Sequence, residues 1–314
     1  MRRVITAFLV FLLVLTLNFV LFRTIPGDPV GILFQDPRIT IEDRERMAHI
    51  FGLDQPLWTQ YVIYMGNSLT GEMGLSFTYR EPVSSIVVER LVNTLILVGI
   101  SSVLALVLGV VSGTISAWRR NTPMDFGLLC TSLFLYSMPA FWLGMMALSA
   151  LSDYVPMAGM YTPGMEYANW LEKFWDLIHH LMVPLVILTL VMFGQYVMLT
   201  RSSLIDVLSE EYIVTARAKG LNDKSILRHH AIPNAMLPLV TVTAINLSFV
   251  VGGAIQTETV FSWPGIGRLM YDALMTRDFP ILQGCFLILT AVALLANLAA
   301  DIAYVFLDPR VRVR

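Results

Sequence analysis

The sequence predicts an all-α integral membrane protein with six transmembrane helices. Hydrophobic residues make up 56% of its 314 residues and charged residues only 14%, whereas about 25% of the residues in an ordinary soluble domain are charged. Six uncharged windows each reach the length of about 20 apolar residues that crosses the hydrocarbon core of a bilayer. These runs are too long for the strands of a membrane barrel, so we expect helices, which satisfy their backbone polar groups within the segment. The windows cover residues 4–22, 91–117, 126–152, 181–200, 231–257 and 279–300.

The first window follows Arg2 and Arg3, as the apolar region of a secretory signal does. It is longer than such a region, and residues 23–26 offer no small-residue cleavage site, so we expect it to stay as the first span. Orientation follows from the short basic loops, which face the cytoplasm. The loop at 118–125 and the tail at 308–314 are basic, which predicts that both termini are cytoplasmic.

Residues 23–90 form a predicted external insert between the first two spans. Thr40 with Asp43 three residues later resembles a capping box, and Gly52 closes that helix. Pro56 opens a second helix with an apolar stripe. We expect a small folded element outside the membrane, with a lid or spacer that contacts no ligand as the simplest role. The stripe consists of Leu57, Tyr61 and Tyr64.

The windows and loops divide the chain into three parts. The N-terminus and first span occupy 1–22, the insert 23–90, and a core with five spans 91–314. Cys130 and Cys285 both fall within windows, so no disulfide framework is expected.

Residues 205–238 are too polar for the membrane, and the predicted topology places them in the cytoplasm. Apolar residues spaced by three, four and four positions predict one face of a helix. Gly220 is expected to end that helix in the left-handed conformation. Asn222 or Asp223 would cap a second, short helix, which Pro233 ends or kinks. The apolar face consists of Ile205, Leu208, Tyr212 and Ala216.

The small and basic residues of this hairpin suit a docking surface. Ala216, Ala218 and Gly220 would let another backbone approach closely, while the basic side chains remain in water. A solvated loop held near anionic lipid headgroups explains the same residues, so periodicity alone leaves both interpretations open. Residues 220–225 are not a nucleotide-binding P-loop, because no glycine precedes the lysine and no strand precedes the turn. The basic residues are Arg217, Lys219, Lys224 and Arg228.

The run EYIVTARAKGL at 211–221, followed by HAIPNA at 230–235, resembles the EAA loop of the inner-membrane permease subunits of ABC importers. The version is that of the dipeptide, oligopeptide and nickel branch. Tyr212 and Ile213 stand where the generic pattern has two alanines, which is common in this branch. Other stretches resemble the same branch: IPGDP at 25–29, GLDQPL at 52–57, GEMGLS at 71–76, FSWPGIGR at 261–268 and LDPR at 307–310.

The resemblance implies a B-type permease subunit with the type I ABC importer fold, in the inner membrane of a prokaryotic cell. Such a subunit pairs with a C-type permease, two cytoplasmic ATPases and an external solute-binding protein, and binds no nucleic acid. ATP and Mg belong to the ATPases, so the chain itself is expected to be non-catalytic and to hold no cofactor. The cargo is a di- or oligopeptide, a nickel chelate or an oligosaccharide.

The resemblance also implies that the hairpin seats in a groove on an ATPase and carries its motion to the spans. The coupling residues implied are Glu211, Ala216, Arg217, Ala218, Lys219, Gly220, Asp223 and Lys224.

Polar residues within the windows are candidates for the translocation path. Asn246, Gln195 and Gln256 would line a path between helices or hydrogen-bond neighbouring helices, and both roles stay open. Asp301 directly follows the last window and is the only carboxylate expected within a span; its place near the cytoplasmic end favours a structural hydrogen bond over a path role. A turn at Trp263, Pro264 and Gly265 is a candidate external gate.

Two further functions are weighed against a permease subunit. An autonomous secondary transporter would show internal repeats or charged midplane residues, and an intramembrane enzyme would show a motif such as HExxH or GxSxG; the sequence has neither. The histidine pairs at 179–180 and 229–230 lack the i, i+4 spacing that places two imidazoles on one metal ion, so no metal site is predicted.

Overall fold

The computed structural model describes residues 2–24, 55–156 and 158–307. Regular structure in these ranges is helical, apart from one antiparallel bridge between Leu75 and Pro82, which confirms the all-α prediction. The predicted capping box at Thr40 and Asp43, the helix end at Gly52 and the tail at 308–314 lie outside the described residues.

Twelve α-helices occur in the described part of the chain, and two single π turns interrupt or join them. The π turns cover Leu95–Gly99 and Leu227–Ala231. The helices are α1 Arg2–Thr24, α2 Leu57–Thr70, α3 Val83–Trp118, α4 Pro123–Ser137, α5 Ala140–Leu151, α6 Trp170–Leu208, α7 Glu211–Ala218, α8 Asp223–Ile226, α9 Ile232–Ala235, α10 Leu237–Val260, α11 Ile266–Thr276 and α12 Phe279–Leu307.

Four of the described helices are long and apolar enough to cross a membrane: Ile5–Thr24, Val83–Trp118, Trp170–Leu208 and Phe279–Ala299. The helices α4 and α5 count as a fifth span if the bent pair crosses as one. Large apolar side chains point outward from these helices, as lipid contact requires. Examples are Leu9, Leu13, Val103, Val107 and Leu295, each more than half exposed.

The predicted third span, residues 126–152, is not one straight helix. The structure breaks it into α4 and α5, which meet at an angle of 93°. Pro139 lacks an N–H group and its ring clashes with a helical conformation at the preceding residue. Met138 accordingly adopts extended dihedrals, φ −79° and ψ 129°. The window contained the proline that causes this bend, but its uniform apolar composition concealed the break.

The helices also extend beyond their apolar windows. The helix α3 begins at Val83 and α6 at Trp170, well before the windows at 91 and 181. Asn169 caps α6 by accepting a hydrogen bond from the Glu172 N–H at 2.9 Å. The boundary predicted between insert and core at residue 90 therefore falls inside a continuous helix.

The chain divides into two compact units. One comprises Met1–Asn93 with Pro264–Leu294, and the other Thr94–Trp263 with Leu295–Arg314. Neither coincides with the three parts expected from the windows, because the units follow spatial contacts and the windows follow composition.

In the first unit, the helix α2 packs on α1. The Tyr61 hydroxyl lies 2.9 Å from Thr16 Oγ1, and Asn18 Nδ2 donates to the Tyr64 hydroxyl at 2.9 Å. The predicted stripe is therefore present on a helix, but only its two tyrosines are used, since Leu57 is 65% exposed.

A buried carboxylate fixes the loop at 71–82, which follows α2. Asp278 is fully buried just before α12. It accepts hydrogen bonds from Ser76 Oγ at 2.6 Å and from the Thr78 N–H at 2.8 Å. These directional bonds attach the loop at 71–82 to the start of the last long helix.

In the second unit, α3 packs closely along α6. A Cβ atom added at Gly113 would lie 2.6 Å from Thr200 Cβ and 2.7 Å from the Val197 carbonyl oxygen. Glycine at this position lets two apolar helices approach to backbone contact, which is how small residues promote helix association in membranes.

Candidate functional site

The hairpin at 205–238 contains two helices, α7 and α8, joined by a glycine turn, as the sequence predicts. Gly220 joins them with φ +81°, a left-handed conformation that favours glycine. The Leu221 N–H donates a hydrogen bond to the Ala216 carbonyl at 3.3 Å, and this bond closes the end of α7. Asn222 then caps α8 by accepting from the Ser225 N–H at 2.8 Å.

The helix expected to run from Ile205 to the glycine is two helices. The helix α6 ends at Leu208 and α7 begins at Glu211. At the break, Ser209 Oγ donates to the Asp206 carbonyl at 2.6 Å, and such side-chain bonds compete with helix continuation. The periodicity of the apolar residues persists across the break, which is why the sequence gives no sign of it.

A buried apolar cluster holds the hairpin against the ends of α3 and α6. Ile226 and Ala231 are fully buried, and Ala216 is only 6% exposed. They pack against Ala117 near the end of α3 and Leu204 near the end of α6. Ala216, proposed from the sequence as a docking residue, therefore faces its own chain.

The outward face of the hairpin carries the remaining proposed coupling residues. A Cβ atom built on Gly220 meets nothing within 4 Å, so the turn is open to a partner. Val214 is 63% exposed and Leu221 38%; the sequence reasoning missed both. The seven exposed coupling residues are Glu211, Arg217, Ala218, Lys219, Gly220, Asp223 and Lys224.

Few internal contacts tie these outward side chains to the chain itself. Arg217 Nε lies 3.9 Å from Asp223 Oδ1, and both side chains are more than half exposed, so this ion pair adds little stability. Asn234 Nδ2 donates to the Tyr212 hydroxyl at 3.1 Å. Desolvation raises the pKa of the Tyr212 hydroxyl above its ordinary value. The face thus combines exposed apolar side chains with exposed charges.

One histidine of each predicted pair lies close to the backbone carbonyl four residues before it. His229 Nδ1 lies 3.2 Å from the Ser225 carbonyl oxygen, and His180, in α6, has Nδ1 2.9 Å from the Asp176 carbonyl oxygen. Among the residues that the structure describes, no three His, Cys, Asp or Glu side chains come close enough together to hold a metal ion.

The proposed path residues Asn246 and Gln256 lie in different surroundings on α10. Asn246 Nδ2 donates to Gln195 Oε1 at 3.1 Å and to the Tyr196 hydroxyl at 3.3 Å, so it joins α10 to α6. Gln256 is exposed. Asp301 belongs to α12, but its side chain lies outside the description. The contacts of Asn246 are those of an interhelical hydrogen bond, and its role in a path stays a prediction.

The proposed gate residues are largely enclosed. Trp263 is fully buried, and its backbone N–H donates to the Glu258 carbonyl at 2.8 Å. The Pro264 carbonyl accepts from Asn93 Nδ2 at 2.9 Å. Gly265 precedes α11 with extended dihedrals. These residues form an ordered turn, and gating by it stays a prediction.

Sequence reasoning missed three buried carboxylates: Asp278, described above, Asp125 and Glu258. Asp125 is 3% exposed and bonds to Arg201, while Glu258 is fully buried and accepts from Thr94 Oγ1 at 2.6 Å. Asp125 and Glu258 each lie one residue outside an apolar window, and Arg201 does too. Because α10 continues to Val260, Glu258 sits within that helix, and Asp301 is not the only acid on a long apolar helix. A charge at the edge of a window was the signal available.

An all-helical chain with several membrane-crossing helices and one exposed polar hairpin defines a multi-pass membrane protein. The family model described as "Binding-protein-dependent transport system inner membrane component" matches residues 105–313, and the model for its N-terminal region matches residues 1–98. The chain belongs to this family and acts as the permease subunit of a binding-protein-dependent importer. Membership implies an ATPase and a solute-binding protein as partners.

Curated relatives match along nearly the whole chain. The oligopeptide transport system permease protein AppB of Bacillus subtilis is 35% identical over 311 residues, covering 99% of this chain and 98% of that protein. The dipeptide transport system permease protein DppB of Escherichia coli K12 is 36% identical over 315 residues, covering 94% and 93%. These relatives place the chain among the B-type permeases of the peptide branch, as its motifs predicted.

A solved structure supports the fold. The chain resembles the MetNI methionine ABC transporter in an inward-facing conformation, with a TM-score of 0.58 and 18% identity over 73% of this chain and 99% of the other. At this identity the likeness concerns the fold alone, which is that of an ABC importer permease.

Proposed function

We propose that this chain forms half of the translocation path of an ATP-driven importer of di- or oligopeptides, together with a homologous C-type permease. The observation that carries the cargo class is the match of permeases named for oligopeptide and dipeptide transport over nearly the full chain. The chain itself hydrolyses no ATP and binds neither ATP nor Mg; the two ATPase subunits do so.

The outward face of the hairpin is the surface that the ATPases engage. Its seven exposed coupling residues, with Val214 and Leu221, combine apolar contact area with charge around an open turn at Gly220. A groove that accepts two short helices would bury such a face, whereas lipid headgroups would use only its basic residues.

The proposed topology has six spans and two cytoplasmic termini. The bent pair α4–α5 and the 24-residue helix α10 complete the four long apolar helices. Single cysteines at Lys224 and Arg119 should be labelled only from the cytoplasm, and one at Glu166 only from outside. Labelling of positions 224 and 166 from the same side would contradict this topology and the docking surface with it.

The remaining site residues complete the proposal. Asn246, Gln256 and Asp301 line the path, and the turn at Trp263, Pro264 and Gly265 forms part of the external gate. Both assignments rest on polarity and position within the helices.

The function is tested by reconstituting the complete assembly in proteoliposomes. A defined pool of di- to pentapeptides, quantified by mass spectrometry, should enter the vesicles only with ATP, the binding protein and both permeases. Uptake by this chain alone, without ATPases, would instead support an autonomous carrier. Mass spectrometry of the ligand retained by the purified binding protein identifies the cargo, and a nickel chelate or oligosaccharide there would overturn the peptide assignment.

A further inference from the structure

A buried carboxylate on α4 joins three segments of the second unit. Arg201 of α6 donates through Nε to Asp125 Oδ1 at 2.7 Å and through Nη2 to Oδ2 at 2.8 Å. Ser116 Oγ, on α3, donates to Oδ1 at 2.5 Å, and the Asn121 N–H, in the turn between α3 and α4, donates to Oδ2 at 2.9 Å. Both carboxylate oxygens are thus satisfied by partners on different segments.

This network lies next to the place where the hairpin packs. Ser116 directly precedes Ala117 on α3, and Arg201 lies three residues before Leu204 on α6, which places them on neighbouring positions of one helix face. Ala117 and Leu204 are the residues that the buried cluster of the hairpin contacts. The buried hairpin residues of that cluster are Ile213, Ala216, Ile226, Ala231 and Ala235.

The two kinds of contact differ in what they can transmit. Apolar contact is non-directional, so the alanines of the cluster hold the hairpin without fixing its orientation on each helix. A bidentate bond between guanidinium and carboxylate fixes both distance and orientation, and a fully satisfied buried network is rigid. Asp125 therefore links the two helices that receive the hairpin to α4, because Ser116 bonds to it from α3 and Arg201 from α6.

We propose that Asp125 and Arg201 are positioning residues for energy coupling: they make the ends of α3, α4 and α6 move as one body when the ATPases displace the hairpin. The inference rests on the proposed function, because it assumes that the hairpin receives the motion. Without the pair, α4 would lose its bonds to α6 at this end, and displacement of the hairpin would move α3 and α6 without carrying α4 with them.

The alternative is a pair that supports folding alone. Removing one partner of a buried ion pair leaves an uncompensated charge, whereas replacing both by neutral groups is often tolerated. The double variant Asp125→Asn with Arg201→Gln therefore separates the two roles, since it removes the rigid link without leaving a buried charge. A matched control is Asp206→Asn with Arg120→Gln, which makes the same chemical changes at exposed residues.

The experiment measures peptide uptake per ATP hydrolysed by complete assemblies in proteoliposomes, with the same peptide pool as probe and equal amounts of assembled complex. The double variant should assemble, should hydrolyse ATP, and should lose about tenfold in uptake per ATP; the control should match the wild type. Arg201→Lys, which keeps the charge but not the fork, should fall between them.

Wild-type uptake per ATP in the assembled double variant would overturn the proposal. Failure of the double variant to assemble, with a normal ratio in Arg201→Lys, would also overturn it, as would failure of both variants to assemble, because the pair would then serve assembly alone. Absence of ATP-driven uptake in the wild-type assembly would instead refute the proposed function.

Discussion

The hairpin at 205–238 and the loop at 71–82 are both polar segments attached to membrane helices, but different kinds of contact hold them. The loop is fixed by directional hydrogen bonds to the buried carboxylate of Asp278. The hairpin is held by a compact apolar cluster, and its outer face makes few bonds to the chain. The loop therefore has one defined position, whereas the hairpin is stable while its surface remains available to a partner.

The largest stability effect should come from the apolar cluster. Ile226→Ala removes a fully buried side chain and should cost about 2–5 kcal/mol of unfolding free energy. The matched change Val214→Ala, on the exposed face, should stay within about 0.5 kcal/mol. Thermal unfolding of the purified assembly and proteolysis of the hairpin measure both. Equal effects of the two substitutions would mean that the cluster does not hold the hairpin.

The next effect concerns the loop at 71–82. Asp278→Ala leaves Ser76 Oγ and the Thr78 N–H without their acceptor, which should cost about 1–3 kcal/mol and speed hydrogen exchange in residues 74–82. Asp272→Ala is the control, because its ion pair with Arg268 spans 3.7 Å between partly exposed side chains and such pairs contribute little. Unchanged exchange after Asp278→Ala would show that the loop does not depend on this carboxylate.

A smaller energetic change at Gly220 should have a large functional result. With φ +81° and an open surrounding, Gly220→Val meets no neighbour but strains the backbone by roughly 1–2 kcal/mol. Abundance and pairing with the partner permease should stay near normal, while uptake and substrate-stimulated ATP hydrolysis fall sharply. Gly220→Asn should keep most activity, since asparagine tolerates this conformation.

The control for that substitution is Gly66→Val, at another open position within a helix. If the hairpin were only a basic loop, Gly220→Val would transport normally, and the triple removal of Arg217, Lys219 and Lys224 would cause the loss. Full activity of Gly220→Val would therefore refute the docking surface.

The smallest effect is expected for the exposed ion pair of the hairpin. Asp223→Asn should change stability by about 0–1 kcal/mol, because Asp223 and Arg217 are 3.9 Å apart and largely exposed. Thermal unfolding at low and high salt tests this. A larger loss would mean that the charged face has a structural role of its own, and the contrast with the loop at 71–82 would weaken.

The parts of the fold that were predictable follow from local chemistry. A bilayer requires long apolar helices, and the backbone roles of Gly220 and Asn222 can be predicted from the few residues around them. The orientation of the hairpin face could not be predicted from the sequence, because periodicity shows which residues share a side of a helix but not whether that side packs inward. Ala216 was assigned outward for this reason.

Long-range pairs escaped prediction for a different reason. Asp125 and Arg201 are separated by 76 residues along the chain, and no local pattern indicates which helices become neighbours. The bend between α4 and α5 is intermediate between local features and long-range pairs. The sequence shows Pro139, but whether the helix bends there, and by how much, depends on packing.

The open surroundings of Gly220 set a stereochemical condition at this turn. A side chain there would have room, since a Cβ atom meets no neighbour within 4 Å, so size is not what favours glycine. The left-handed φ disfavours L-residues but suits their mirror images. A semisynthetic chain with D-alanine at position 220 should therefore keep the turn without strain, whereas L-alanine should strain it by roughly 1–2 kcal/mol: the turn favours one chirality of its residue over the other.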